Sequence, residues 1–236
     1  MTAPGDDVRD SVERGWRELD EIDAALARGE IDDAGWHAAV LRIIEPAYLG
    51  ADTPQGQSGQ GGDAAGWDRA RRLVLDAVDR DGTFLDVGCA NGLLMESVRA
   101  WAAEDGYSLE PYGVEISDAL ADLARHRCPQ WAGRIWAANA LGWRPPARFD
   151  YVRTGLDYVP AARRPDLVRH LLDHVVAPDG RLVVGVTNEI LGEPGLADAL
   201  SGWGFAVAGT ARRSHGHPAL ERTVHWLDGE ARAGRQ

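Results

Sequence analysis

The feature that most restricts the fold of this chain is a regular alternation of short apolar segments with amphipathic ones between Phe84 and Asn188. FLDVG (Phe84 to Gly88), PYGVEIS (Pro111 to Ser117), RIWAAN (Arg134 to Asn139), FDYVRTG (Phe149 to Gly155) and RLVVGVTN (Arg181 to Asn188) each read as a buried strand. Helices are predicted between them over Leu93 to Ala103, Asp118 to Cys128 and Pro165 to Val176. Short apolar strands alternating with helices specify an α/β fold, a doubly wound and mostly parallel sheet. Near the end, FAVAGTARR (Phe205 to Arg213) and ERTVHWLD (Glu221 to Asp228) flank the turn SHGHPA. They predict a closing antiparallel hairpin and bring the sheet to seven strands.

Two helices precede the first strand. Over residues 7 to 28, Val8, Val12, Trp16, Leu19, Ile22 and Leu26 recur at steps of three and four, and Gly29 is a stop. A second helix follows Asp32 and Asp33 as caps, with Trp36, Val40, Ile43 and Ile44 as its apolar face and Pro46 closing it. Residues 1–49 are therefore expected to form a helical cap. Residues 50–66 are rich in Gly, Gln and Ser and read as a linker or a lid. A helix from Trp67 to Val78 opens the main domain, residues 67–228, and 229–236 is a tail.

Charge and composition narrow the function. Hydrophobic residues make up 44% of the 236 and charged residues 26%, which excludes wholesale disorder. No apolar run has the length of a membrane span, and Met1 to Asp10 lacks the apolar core of a secretory signal, so a cytoplasmic protein with no membrane partner is expected. Thirty-seven acids against 25 bases give −12, and a surface this acidic repels nucleic-acid phosphates. All the bases are arginine, which rules out a Schiff-base lysine and a P-loop. Two cysteines, Cys89 and Cys128, make no disulfide framework.

In an open α/β sheet, ligands sit beyond the carboxyl ends of the strands. After the first strand comes DVGCANG, in which Asp86, Gly88, Cys89, Ala90, Asn91 and Gly92 form a loop whose small residues let backbone amides approach a ligand. A dinucleotide fingerprint needs glycine where Ala90 and Leu93 stand, so it fails. The second strand ends at Glu115, whose carboxylate can accept hydrogen bonds from both hydroxyls of a ribose. The third ends at Asn139, Ala140 and Leu141, where an amide can read the edge of an adenine. The fourth ends at Arg153, Thr154, Gly155 and Leu156, followed by Asp157 and Tyr158.

This set resembles the class I S-adenosylmethionine-dependent methyltransferases. FLDVGCANG is similar to their glycine-rich first motif, GVEIS to their acidic-ended second strand, AANAL to their adenine loop, FDYVRTGLDYV to their fourth-strand motif and VVAPDGRLVVG to their fifth strand. The resemblance spans Trp67 to Asp228. Ala90 replaces a usual glycine, and Asn139 stands where the family often has aspartate. It implies a Rossmann-like fold with S-adenosylmethionine as cofactor, S-adenosylhomocysteine as product, no metal, and transfer of a methyl group to oxygen or nitrogen of a small molecule. Alternatives are an RNA methyltransferase or a non-catalytic cofactor-binding protein.

Carried over by residue, the resemblance implies that Asp86 orients the loop or meets the methionine ammonium while Gly88 and Gly92 let the chain pass close, with Cys89, Ala90 and Asn91 lining it. Glu115 would hold the ribose, and Ile116 would cover the adenine. Asn139, Ala140 and Leu141 would contact the adenine edge, and Thr154, Gly155 and Leu156 would lie under the sulfonium. Trp67, Arg71 and the Gln57–Gly59 run are candidates to cover or pair with the methionine carboxylate. Candidate proton acceptors are His215 and Tyr158, with His217 and Asp157 behind them. His170 and His174, four apart, have metal-compatible spacing but no third ligand. A monomer and a homodimer are both compatible with the sequence.

Overall fold

The computed structural model describes residues 19–230, and the chain divides between Pro46 and Ala47 into two compact units. The first contains a helix over 19–27 (α1) and most of α2 (Asp33–Leu49). Gly29, at φ +70°, follows α1, and Asp32 starts α2 by accepting from the amide of Gly35 (2.8 Å). The indole of Trp36 donates to Asp23 (2.6 Å), fastening the two helices together. Residues 7–18 of the expected first helix lie outside the described residues. Pro46 does not close α2, which continues through it to Leu49. Proline removes one backbone bond and crowds the preceding turn; so near the helix end, only a few residues must follow it.

The second unit carries seven strands: β1 (Gly82–Val87), β2 (Leu109–Glu115), β3 (Ile135–Ala137), β4 (Phe149–Thr154), β5 (Val176–Ile190), β6 (Gly209–Ser214) and β7 (Leu220–Asp228). Their order is β3-β2-β1-β4-β5-β7-β6. Strands β1 to β5 pair in parallel, and β7 runs antiparallel between β5 and β6. Sequence order reverses direction between β1 and β4, which opens a crevice at their carboxyl ends.

The uninterrupted apolar character of β1 follows from its position. Phe84 packs with Leu94, Val98 and Trp101 of α4 (Leu93–Glu104) on one face. Leu85 and Val87 pack with Leu167 and Leu171 of α6 (Arg164–His174) on the other. A strand covered on both faces has no polar side to show, and each large side chain buried this way contributes roughly 1.5–3 kcal/mol.

Several elements differ from the sequence reading. The helix before β1 is α3 (Ala64–Arg71), capped by Asp63, and it tightens into a 3-10 turn over Arg72–Ala77. Strand β3 keeps only three residues, whereas β5 extends to fifteen, with an irregularity between Gly185 and Thr187. Helix α5 (Asp118–Arg127) stands as expected, but α7 (Leu196–Gly202) was not anticipated. Strand β6 begins at Gly209 rather than Phe205, because the Phe205 amide turns back to the carbonyl of Leu200 (3.0 Å) and finishes α7.

Candidate functional site

The chain turns from β1 into α4 through Gly88 (φ +74°), Ala90 (φ +46°) and Gly92 (φ +77°). Ala90 tolerates the left-handed region because Glu115 fixes its amide: one carboxylate oxygen accepts from Ala90 N (2.9 Å) and the other from Ser117 N (3.1 Å). The amides of Gly88 and Cys89 both donate to the carbonyl of Val114 (2.8 and 3.2 Å). Loop and strand end are thus a single backbone-bonded piece. Cys89 packs into the space left by Gly113, where a Cβ would lie 2.7 Å from its sulfur. Burial pushes the Cys89 thiol well up, so it stays protonated and is a packing group rather than a nucleophile.

Asn91, fully buried, joins this loop to the 50–66 segment. Its side-chain oxygen accepts from Leu93 N (3.1 Å) and from the Ser58 hydroxyl (2.5 Å). Its side-chain nitrogen donates to the carbonyl of Pro54 (2.9 Å) and to Gln57 Oε1 (3.4 Å). Residues Gly56–Ser58 form a 3-10 turn there, and the Tyr48 hydroxyl lies where a Cβ on Gly59 would be.

At the end of β4 a second group is assembled from side chains. Arg153, 5% exposed, donates from Nη1 to Asp86 (3.2 Å) and to the hydroxyl of Tyr158 (2.9 Å), and from Nε to the carbonyl of Gly185 (2.6 Å). Burial pushes Asp86 up to about 6, with Arg153 opposing the rise. Burial also works against the Arg153 charge, but Tyr158 and Asp86 beside it more than offset that, and it stays protonated. The Tyr158 phenol is raised by burial and remains neutral.

A cavity of about 30 Å³ separates these two groups. It is lined by Ser58, Trp67, Arg71, Asp86, Gly88, Cys89, Ala90, Leu94, Arg153 and Tyr158. Trp67 is fixed by an indole bond to Ser97 (2.9 Å), and the Arg71 guanidinium lies 5.6 Å from the Trp67 ring. Arg71 Nε donates to Gln60 (2.9 Å). Among the described residues no carboxylate forms an ion pair with Arg71, and burial together with the nearby Arg153 charge lowers its affinity for the proton.

The structure therefore brings Trp67, Asp86, Gly88, Cys89, Ala90 and Tyr158 around one cavity, with Asn91 and Gly92 behind the loop and Glu115 at its side. Half-buried Ile116 follows Glu115. Beyond β3, exposed Asn139 turns its side-chain oxygen onto Leu141 N (3.0 Å) beside half-buried Ala140. Thr154 is fully buried and bonds the carbonyl of Gly155 (2.9 Å), ahead of Leu156. His215 and His217 lie in the β6–β7 turn, and among the described residues no hydrogen bond or ion pair links them to the groups above. His170 bonds the carbonyl of Trp143 (2.8 Å) and His174 approaches Arg144 (3.2 Å). Among the described residues no three His, Cys, Asp or Glu side chains converge as metal ligands. Arg153 stands at the end of the fourth strand in the sequence reading but is given no role there, and Tyr48 is not singled out. A charge inside the apolar run YVRT was the available signal for Arg153, since a buried charge requires a partner.

No family model matches this chain, and no curated protein matches it in sequence. Solved structures match its fold. The 1,6-didemethyltoxoflavin-N1-methyltransferase of Burkholderia thailandensis superposes with a TM-score of 0.57 at 18% identity, over 82% of this chain and 88% of that one. The N-methyltransferase NodS of Bradyrhizobium japonicum, in complex with S-adenosylhomocysteine, gives 0.56 at 13% identity, over 80% and 97%. The [4+2]-cyclase SpnF gives 0.54 at 14% identity, over 80% and 92%. The chain has the class I methyltransferase fold, and the cyclase among its neighbours is a reminder that this fold does not by itself fix the reaction. Among the described residues no helix is long and apolar enough to cross a membrane.

Proposed function

We propose that this chain is an S-adenosylmethionine-dependent methyltransferase acting on oxygen or nitrogen of a small molecule. The observation that carries the reading is the bond from Ala90 N to Glu115, which makes the glycine loop and the acidic end of β2 one preformed seat beside the crevice. The Glu115 carboxylate, an acceptor with several lone-pair sites, would take the ribose hydroxyls. Asn139 and Ala140 would meet the adenine edge, with Ile116 and Leu141 covering it. Asp86 Oδ2, which has no hydrogen-bond partner among the described residues, would accept the methionine ammonium. Arg71, a cation without an ion-pair partner there, would take the carboxylate.

Bound S-adenosylmethionine would supply a methyl carbon already activated by positive sulfur. The protein's part is then to hold an acceptor in line with it, at the ends of β4 and β5, and to exclude water. A proton acceptor is needed only for an acceptor that arrives protonated. Tyr158, held neutral, does not suit that task. Burial and the nearby Arg222 and His217 lower the pKa of His215, but among the described residues no bond ties it to the cavity, so no proton acceptor is assigned. The net charge of −12 favours a small molecule over a nucleic acid.

Titration calorimetry with S-adenosylmethionine, S-adenosylhomocysteine and NADH tests the assignment. Both sulfur ligands should bind and NADH should not. Glu115→Gln keeps one amide acceptor and should weaken the sulfur ligands roughly a hundredfold through lost charge-assisted bonds. Unchanged affinity in that variant would remove Glu115 from the site.

A further inference from the structure

Tyr158 stands in the space that the two glycines open. A Cβ on Gly88 would lie 2.6 Å from Tyr158 Cε2 and 2.8 Å from Cζ, and one on Gly155 would lie 3.0 Å from Cζ. What remains beside the ring is the cavity of about 30 Å³, enough for one or two water molecules and not for an amino-acid tail. The ring packs against the core cluster of the sheet, and its polar hold is a single bond. Its hydroxyl accepts one bond from Arg153 (2.9 Å), and the guanidinium lies 5.8 Å from the ring centroid. Arg153, by contrast, keeps Asp86 and the Gly185 carbonyl whether or not the phenol is present.

We propose that Tyr158 is a displaceable plug of the pocket over Gly88, whose ring must swing out before the methionine half of the cofactor can settle there. This rests on the cofactor reading above and adds a step to it. Once the ring leaves, Arg153 Nη1 and Arg71 both face the pocket, so the displaced phenol oxygen is replaced by a carboxylate. The plug thus gives the buried arginine one acceptor beyond Asp86 and the Gly185 carbonyl, and it sets part of the affinity of the cofactor through the bond that must be broken.

The experiment is calorimetry and stopped-flow tryptophan fluorescence with S-adenosylhomocysteine on the full chain, as wild type, Tyr158→Phe and Tyr158→Ala. Removing the hydroxyl alone should tighten binding about tenfold, the equivalent of one charge-assisted bond no longer broken. Removing the ring should also raise the association rate about tenfold or more. Tyr158→Phe preserves the packing, so the test stands if the alanine variant fails to fold. Binding by a variant when the wild type binds too weakly to detect would support the plug most directly. Wild-type affinity and rate in the variants, or weaker binding, would overturn the plug and leave the cofactor reading intact. Absence of binding in all three proteins would overturn the cofactor reading, and the plug with it.

Discussion

Strands β2 and β4 flank β1, and each ends in a buried charge that is neutralised in a different way. Glu115, at the end of β2, is held by backbone amides that come from its own strand turn and from the adjacent glycine loop. Arg153, at the end of β4, is held by Asp86, Tyr158 and the carbonyl of Gly185, contributed by three separate segments. Backbone donors cannot leave without unfolding the loop, whereas a side chain can rotate away. The first arrangement is a fixed seat and the second is a rearrangeable one. A single sheet edge thus offers rigidity on one side of β1 and adaptability on the other.

The sharpest test of that contrast is Arg153→Met, which leaves Asp86 buried without its hydrogen-bonded cation and should cost roughly 3–5 kcal/mol in urea unfolding. Adding Asp86→Asn should recover part of the loss, since the stranded charge is then gone. A cost near that of a surface substitution, about 0.5 kcal/mol, would break the comparison. Asn91→Ala should come next, at roughly 1–3 kcal/mol, because it strands the donors and acceptors around Pro54, Ser58 and Leu93. Hydrogen exchange over residues 54–60 should quicken in that variant while β2 stays protected; uniform exchange would show that Asn91 does not fasten the segment.

The smallest effect is one of pH. Asp86 titrates near 6 in the folded chain, above its ordinary 3.8, so the folded state takes up the proton first. Its contribution to stability is therefore full below about pH 4 and is lost as pH rises through about 6. Ligand affinity should run the other way, because only the ionised carboxylate pairs with an ammonium. Binding of S-adenosylmethionine should weaken between about pH 7.5 and about pH 5 in the wild type. In Asp86→Asn it should be weak and flat; a parallel slope in that variant would assign the titration to another group.

What was legible in the sequence was local. The strand–loop–helix run from Phe84 to Leu93 announces itself because a buried strand, small residues and a helical face follow one another within a few positions. Glu115 was legible for the same reason, as an acid closing an apolar strand. Arg153 was not, because its meaning depends on Asp86, which is 67 positions away. Helix α7 was hidden by Pro194, Gly195, Gly202 and Gly204, which read as loop punctuation although they lie at its margins. Pro46 misled in the opposite direction, since the helix accepts it close to its end. The role of the 50–66 segment could not be read either: composition declares flexibility, while a single asparagine 33 residues away from Ser58 fixes its position.

That asparagine is followed by glycine, the pairing most prone to spontaneous loss of ammonia, because an unhindered glycine amide nitrogen can attack the asparagine side-chain carbonyl. Here the Gly92 nitrogen is turned towards the carbonyl of Cys89 (2.8 Å), and both atoms of the Asn91 amide are engaged. Reaction requires those bonds to open. Deamidation at Asn91 would also replace a donor with a negative oxygen facing the Pro54 carbonyl and Gln57, so damaged molecules could not regain the same fastening. Chemical ageing at this position is thereby coupled to local opening, and the aspartate that accumulates in a stored sample would record how often the loop has been undone.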